Sequence, residues 1–505
     1  MSNAELNIPI DRESEEPIYR QLIRQIRAQI ESGVLPTGAR LPASRELADA
    51  LAISRISVVN AYAELRASGY LSAHAGRGTF VAGSADALSP VSSANGHSRA
   101  FPTAVSSALP APTLDKSLRE LMNMARKPGV INFGSGAPPM EFVPVMQIRD
   151  AINHVIERDG AKTFAYEAPE GYAPLRASVR DYVSAFGIQC TAENVLITGG
   201  TQQALDLVMQ SVLGEHDVMA TEDPTYLGVL DLARTRRMRI LPVPYDSEGM
   251  RLDILENYLL DHQVRLIYVM PTFHNPTGSV MPLHRRRQLL ALAHQYRVPI
   301  LEDGVYHELR YEGDPLPPLK ALDEHHNVIH ASGFTKNLVP GLRIGYVIAQ
   351  GMVYERLARV KASADISSPG LNQRAIQLLL EHGTLARQLE RNNHELRRRR
   401  DAAIEAVQRC LPQALWTLPQ GGLYLWLELP HDGPNAAELY ISAVQAGVAY
   451  AMGTVFYANG GGTYHLRVNF GAHKVEQIDE GFRRLGRAWR DLSRHYADYE
   501  KALLL

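Results

Sequence analysis

Lysine is scarce in this chain. There are eight, Lys116, Lys127, Lys162, Lys320, Lys336, Lys361, Lys474 and Lys501, against 44 arginines. Chemistry that needs a primary amine therefore has few candidates. Lys336 closes the run Ser-Gly-Phe-Thr-Lys, seven residues before Arg343 in Pro-Gly-Leu-Arg-Ile-Gly-Tyr. Ahead of it, in order, come a Gly-rich turn (Thr198-Gly199-Gly200-Thr201-Gln202), Tyr226 after Asp-Pro-Thr, Asn275-Pro276-Thr277-Gly278, and Asp303 with Tyr306. Glycines between a strand and a helix let backbone N–H groups approach an anion at the helix N-terminus. A carboxylate at the end of a buried strand, as Asp303 is, needs a cationic partner. Asn-Pro-Thr-Gly is ordinarily only a turn. Taken singly, each feature reads more readily as structural.

The elements that must position them are legible as alternating patterns. VLIT (195–198), DVMA (217–220), RLIYVM (265–270), VPILED (298–303) and VIHAS (328–332) are apolar runs ending in polar or Gly-rich turns, with amphipathic helices between them. This predicts an α/β body with a mostly parallel sheet, helices on both faces, and a ligand site at the carboxyl ends of the strands, where the polar clusters fall. As an ordered set, those clusters meet the needs of pyridoxal 5′-phosphate (PLP). Its aldehyde needs an amine, its pyridine nitrogen a carboxylate, its phenolate O3′ donors, its ring a stacking face, and its phosphate a cup and an Arg.

From Val130 to the last helices the chain resembles the fold-type I aminotransferases, close to the aromatic and 2-aminoadipate branch, with a small C-terminal α/β domain. The resemblance implies that Lys336 forms the Schiff base and Asp303 holds the pyridinium. It implies further that Asn275 and Tyr306 serve O3′, that Tyr226 stacks on the ring, and that Gly200, Thr201, Gln202, Thr335 and Arg343 serve the phosphate. Tyr166, in Tyr-Glu-Ala-Pro-Glu-Gly-Tyr, matches a tyrosine that such dimers lend to the neighbour's phosphate. Arg467, in Leu-Arg-Val-Asn-Phe, matches the Arg that grips a substrate α-carboxylate, a bidentate task suited to guanidinium. Two positions depart from the pattern. Gly333 stands where Ser or Thr is usual, and Met452-Gly453 where Pro-Gly is frequent.

A second pattern lies in front. Ile18, Leu22, Ile23, Ile26 and Ile30 recur at helical spacing up to Gly33; Ser44 is expected to cap a short helix and Ser54 another. Short strands are expected around Tyr70–Ala73 and Thr79–Val81. Helix, short helix, turn, helix and hairpin make a winged helix-turn-helix. Between Ile18 and Ala82 eight arginines face four acids. Arg40 and Arg45 bracket the first helix of the motif. Arg55 and Ser57 fall in the first turn of the second, where side chains reach base edges. Arg77, beside Gly78, lies at the hairpin tip, suited to phosphate or minor-groove contact. The whole run resembles a GntR-type DNA-binding domain, through G-x-R-L-P-x-S-R, S-R-x-S-V, G-Y-L and G-x-G-T-F-V.

Composition sets the limits. The chain has 505 residues, 45% apolar and 21% charged, with a net charge of -2. That composition suits a globular protein and argues against a general polyanion binder. Two cysteines, Cys190 and Cys410, exclude a disulfide framework and a Cys-based zinc site, and no metal is expected. The acidic first seventeen residues lack the apolar core of a secretory signal, and no apolar run reaches membrane-spanning length, so a cytoplasmic protein with no membrane partner is expected. Residues 83–112, rich in Ser, Ala, Pro and Gly, read as a flexible linker between a reader (1–82) and an aminotransferase-like body (113–505).

The union resembles the MocR (GabR-like) subfamily of GntR-type regulators. It implies a homodimer, arranged head-to-tail, that binds double-stranded operator DNA and senses an amino acid or amine through an external aldimine. Two alternatives stay open: an active aminotransferase that also binds DNA, and a sensor of PLP itself that controls vitamin B6 synthesis.

Overall fold

The computed structural model describes residues 8–11, 18–31, 34–36, 38–51, 53–54, 57–58, 61–62, 65, 70–74, 78–81, 125, 127–261 and 264–503. The chain divides into two compact units, Met1–Asp115 and Lys116–Leu505. The expected linker, 83–112, lies outside the described residues.

In the first unit the helix Ile18–Glu31 buries Leu22 and Ile26 against Leu41, Leu47, Val58, Leu65, Leu71 and Val81. Three strands, β1 (Arg40–Leu41), β2 (Leu71–His74) and β3 (Gly78–Val81), form an antiparallel sheet in the order β1-β3-β2. The wing is thus one strand wider than the sequence suggests, because a two-residue strand carries too short a pattern to read. Ser54 caps as expected, its Oγ accepting from the Ser57 N–H at 3.2 Å. Ser44 does not: it is the first helical residue of Ser44–Leu51, and Glu46 instead reaches back to accept from the Ala43 N–H at 3.0 Å.

The second unit is built on an eight-stranded sheet. After β4 (Ile131–Asn132), its members are β5 (Val195–Thr198), β6 (Val218–Asp223), β7 (Arg239–Asp246), β8 (Gly249–Met250), β9 (Val264–Val269), β10 (Ile300–Asp303), β11 (Val328–Gly333) and β12 (Gly345–Ile348), ordered β5-β12-β11-β10-β9-β6-β7-β8. Alternate residues go to opposite faces. Leu196, Leu266, Tyr268, Leu301, Ile329 and Val347 pack under the helix Thr201–Val212. Their neighbours Val195, Ile197 and Ile348, and Ala220, Ile267 and Ile300, pack under helices on the other face. Burial on both faces makes these strands continuous apolar runs.

The five runs named from sequence supply β5, β6, β9, β10 and β11. Three others hid for physical reasons: β7 is only partly buried and carries Pro242 and Pro244, β8 has two residues, and β12 opens on glycine. Only β12 and the two-residue β8 run against the rest, so the carboxyl ends of β5, β6, β9, β10 and β11 share one edge.

A smaller sheet follows the long helix Thr384–Cys410. It comprises β13 (Leu415–Trp416), β14 (Tyr424–Glu428), β16 (Ala451–Met452) and β17 (His465–Asn469), with β15 (Val448–Ala449) pairing β4. Its core includes Leu425, Leu427, Leu439, Val468, Ile478 and Phe482. Among the described residues, no helix is long and apolar enough to cross a membrane, and no cluster of three metal-ligating side chains occurs.

Candidate functional site

At the shared edge, β5, β6, β9, β10 and β11 each lead into a polar group of the candidate site. After β5 the chain turns through Gly200, at φ +104° and ψ 169°, into the helix beginning at Thr201. That backbone region is almost confined to glycine. The turn is also tight: a Cβ on Gly200 would lie 2.7 Å from Arg343 Nη2, which places the Arg343 side chain beside the cup. Thr201 Oγ1 is buried without a hydrogen-bond partner. Gln202 has its side chain occupied: Nε2 donates to the Gly228 carbonyl at 3.1 Å and Oε1 accepts from Tyr226 at 3.0 Å. Its side chain therefore orients the Tyr226 ring, whose phenol burial pushes up to about 12.

Gly333, at the end of β11, explains its own departure from the pattern. A Cβ there would sit 2.9 Å from Gly345 Cα and 3.0 Å from Thr201 Oγ1. The Thr201 hydroxyl crowds the space that a Ser or Thr at 333 would need. Replacing Gly200 by Ala should cost about 1–3 kcal/mol of stability, read from urea unfolding, because the backbone must leave its conformation or carry the strain; an unchanged midpoint would contradict this account of the turn.

Asp303 ends β10 and is 2% exposed. Its Oδ2 accepts from Tyr268 at 3.1 Å and its Oδ1 from the Val305 N–H at 3.2 Å. Among the described residues no cation lies within salt-bridge distance, and burial pushes the carboxyl up to about 6 despite those donors and the nearby His330 and Lys336. Lys336, three residues past β11, is half-buried and donates from Nζ to the Gly136 carbonyl at 2.6 Å. Thr335 beside it is also half-buried.

The small sheet supplies the other wall. Arg467, on β17, is 6% exposed. It donates from Nη1 to Asn275 Oδ1 at 2.7 Å and from Nη2 to the Gly134 carbonyl at 2.9 Å, while its Nε is buried without a partner. Its guanidinium lies 4.2 Å from the Tyr424 ring centre and 4.9 Å from that of Phe456. Two aromatic faces hold the cation in place without consuming its donors. Tyr306 meets Tyr424 hydroxyl to hydroxyl at 2.7 Å. Met452 precedes Gly453, whose missing side chain admits the Gly462 carbonyl.

The structure thus gathers Gly200, Thr201, Gln202, Tyr226, Asn275, Asp303, Tyr306, Thr335, Lys336, Arg343 and Arg467 at one edge of the second unit. Tyr166 stands apart, 84% exposed. Tyr424, Tyr268 and the Gly134 and Gly136 carbonyls were not foreseen. A phenol inside an otherwise apolar strand, as in LYLWL and RLIYVM, was the available signal for the two tyrosines.

In the reader unit, Arg40 is exposed on β1, Ser44 and Ser57 are half-buried, and Gly78 opens β3 opposite His74. The Arg45 side chain, Arg55 and Arg77 lie outside the described residues.

A small three-stranded wing on a helical core, and a lysine, carboxylate and arginine at the edge of an aminotransferase sheet, define a DNA-binding regulator with an aminotransferase-like domain. The chain belongs to the aminotransferase class I and II family, matched over residues 128–485, and its front matches the bacterial regulatory proteins of the gntR family over residues 18–81, the union that marks MocR-type regulators. It is 30% identical to the HTH-type transcriptional regulator YdfD of Bacillus subtilis, over 94% of this chain and 97% of that one. It is 29% identical to the probable rhizopine catabolism regulatory protein MocR of Rhizobium meliloti, over 76% and 75%. Among solved structures, LysN, the alpha-aminoadipate aminotransferase of Thermus thermophilus complexed with N-(5′-phosphopyridoxyl)-L-leucine, matches with a TM-score of 0.70 at 36% identity, over 75% of this chain and 95% of that one.

Proposed function

We propose that this protein is a cytoplasmic, homodimeric transcription regulator that holds PLP in its second unit and reads an amino acid or amine there. The observation that carries the reading is the buried Asp303 carboxyl, without a cation at salt-bridge distance among the described residues, on the same strand edge as Lys336. The residues present fit the cofactor. Among the described residues Asp303 has no cation at salt-bridge distance, the place a pyridinium would take, Thr201 Oγ1 lacks the acceptor that a phosphate provides, and Gly200 lets the backbone turn tightly beside Arg343. When bound, the cofactor supplies an aldehyde carbon that joins amines reversibly.

The chain's own groups divide the remaining work. Lys336 offers the amine, anchored at the Gly136 carbonyl. Asp303 carries the balancing negative charge, Tyr226 the ring face, and Asn275 and Tyr306 the donors for the phenolate. The cup at Gly200, Thr201 and Gln202, with Thr335 and Arg343, takes the phosphate. Arg467 has its Nε free to donate to a ligand carboxylate. Tyr166, exposed on its own chain, is proposed to act on a second copy. Exposed Met140, Val145, Met146 and Phe164 support an apolar contact between copies. In the reader, Arg40, Ser44, Arg45, Arg55, Ser57, Arg77 and Gly78 are proposed to face operator DNA. A ligand shifts the reader only by binding its two states unequally.

The test is an ultraviolet–visible titration of the PLP-loaded protein with a panel of amino acids and plain amines, paired with operator binding. A band that moves for one ligand without turnover, together with a changed operator affinity, supports the sensor. Steady turnover with a keto acid would instead make it an enzyme. Replacing Arg467 by Ala should weaken the response to carboxylate-bearing ligands by about 10²–10³-fold, as expected for losing one partner of a desolvated charge pair. Its response to a plain amine should change little; an equal loss for both would remove Arg467 from carboxylate recognition.

A further inference from the structure

Tyr424 enters the site from β14, touches two of its working parts and lies beside a third. Its hydroxyl lies 2.7 Å from that of Tyr306, with the rings edge to face at 81°. Its ring carries the Arg467 guanidinium at 4.2 Å. Its hydroxyl also lies 3.4 Å from where a Cβ on Gly136 would be, the residue whose carbonyl receives Lys336. Both phenols are 2–3% exposed, so the two hydroxyls depend on each other rather than on water.

A hydrogen bond between two phenols can run in either direction. If Tyr306 donates to Tyr424, the Tyr306 proton is spent. If Tyr424 donates, that proton is free for a third acceptor. Next to an anionic oxygen the second order wins, because a hydrogen bond to a charged acceptor is about twice as strong as one between neutral groups. The bond received from Tyr424 also polarises the Tyr306 hydroxyl and makes it the better donor.

We propose that Tyr424 is a positioning residue whose hydroxyl sets the direction of the Tyr306 hydrogen bond and so commits Tyr306 as a donor to the cofactor's phenolate. The proposal rests on the PLP reading above and deepens it. Arg467 stacks on the same ring from the ligand-carboxylate side, so one side chain joins the part that grips the ligand to the part that tunes the cofactor. Among the described residues, the charged and titratable groups around the phenol pair are Arg467 from β17, Tyr226 from the turn after β6, with Asp303 from β10 acting on Tyr226, and Lys336 at the Gly136 carbonyl.

The experiment is a pH titration of the visible band of the PLP-loaded protein, in the wild type and in Tyr424→Phe, Tyr306→Phe and the double variant, with thermal melts to verify folding. A phenolate whose charge is less well neutralised holds a proton shared with it more tightly, so losing a donor moves the midpoint upward. Tyr306→Phe should raise it by about 1 pH unit, the size of one charge-assisted hydrogen bond. Tyr424→Phe should raise it by about 0.3 unit, the cooperative share of that bond. The double variant should match Tyr306→Phe alone. A wild-type midpoint in Tyr424→Phe, or a shift that persists without the Tyr306 hydroxyl, overturns the proposal and leaves the PLP site standing. No band in the wild type overturns both.

Discussion

Lys336→Ala should abolish the Schiff-base band of the PLP-loaded protein and leave operator affinity within the same order of magnitude as wild type. Lys336 is the amine in the strand-edge cluster, half-buried and tied to one carbonyl, that of Gly136. Its removal deletes the nucleophile for the cofactor's aldehyde and a single charge-assisted hydrogen bond, about 1.5–3 kcal/mol of local interaction. The strands on either side keep their cores, because Ile329, Ala331 and Val347 are held by apolar packing that does not involve Lys336. The reader has a core of its own, built on Leu22, Ile26 and Leu41. Absorption spectra and gel-shift titration measure the two halves of the prediction. A variant that melts early, or that loses DNA with its band, would mean that Lys336 supports the fold.

The second large effect runs in opposite directions with and without the cofactor. Burial raises the Asp303 carboxyl from 3.8 to about 6 in the folded state. Between those values the unfolded chain has released the proton and the folded chain still holds it. Stability therefore falls as pH rises through that window, and it stays lower above it. Two pH units correspond to about 3 kcal/mol at 1.36 kcal/mol each, as an order of magnitude. Asp303→Asn carries no charge, so the cofactor-free variant should escape this decline and melt higher than cofactor-free wild type at neutral pH. The same variant should bind PLP about 10²–10⁴-fold more weakly, because the buried cation loses its partner, a change of about 3–5 kcal/mol. Melting temperatures of both proteins from pH 4 to 8, and a PLP titration, check the two signs. Parallel pH profiles for the two cofactor-free proteins would show that Asp303 does not carry its charge at this cost.

How much of this was legible beforehand follows the physics of each signal. The strands β5, β9, β10 and β11 announce themselves because burial on both faces demands unbroken apolar runs. The site residues sit where those runs end, since polar groups return only at the sheet's edge. β7, with two prolines and a partly exposed surface, carries no such signature. In the reader, Ser44 has the right chemistry for a cap, yet the helix starts one residue earlier and Glu46 closes it. Helix termini are set by side-chain geometry over a few ångströms, which composition does not report.

The sequence by itself determined the inventory: an amine, a carboxylate, a cup, an aromatic and two arginines in fixed order, behind an Arg-bearing winged helix. Order along the chain is enough for that, because the amine, the carboxylate, the cup and the aromatic each stand at or just past the end of a strand. Only the tertiary structure decided which groups are spoken for. Gln202 turns to Tyr226 rather than lying free, Gly333 yields its space to Thr201, and Tyr424 comes from a distant strand to meet both Tyr306 and Arg467. Those pairings depend on register and close packing between residues far apart in the chain, 118 positions for Tyr306 and Tyr424, which no local pattern encodes.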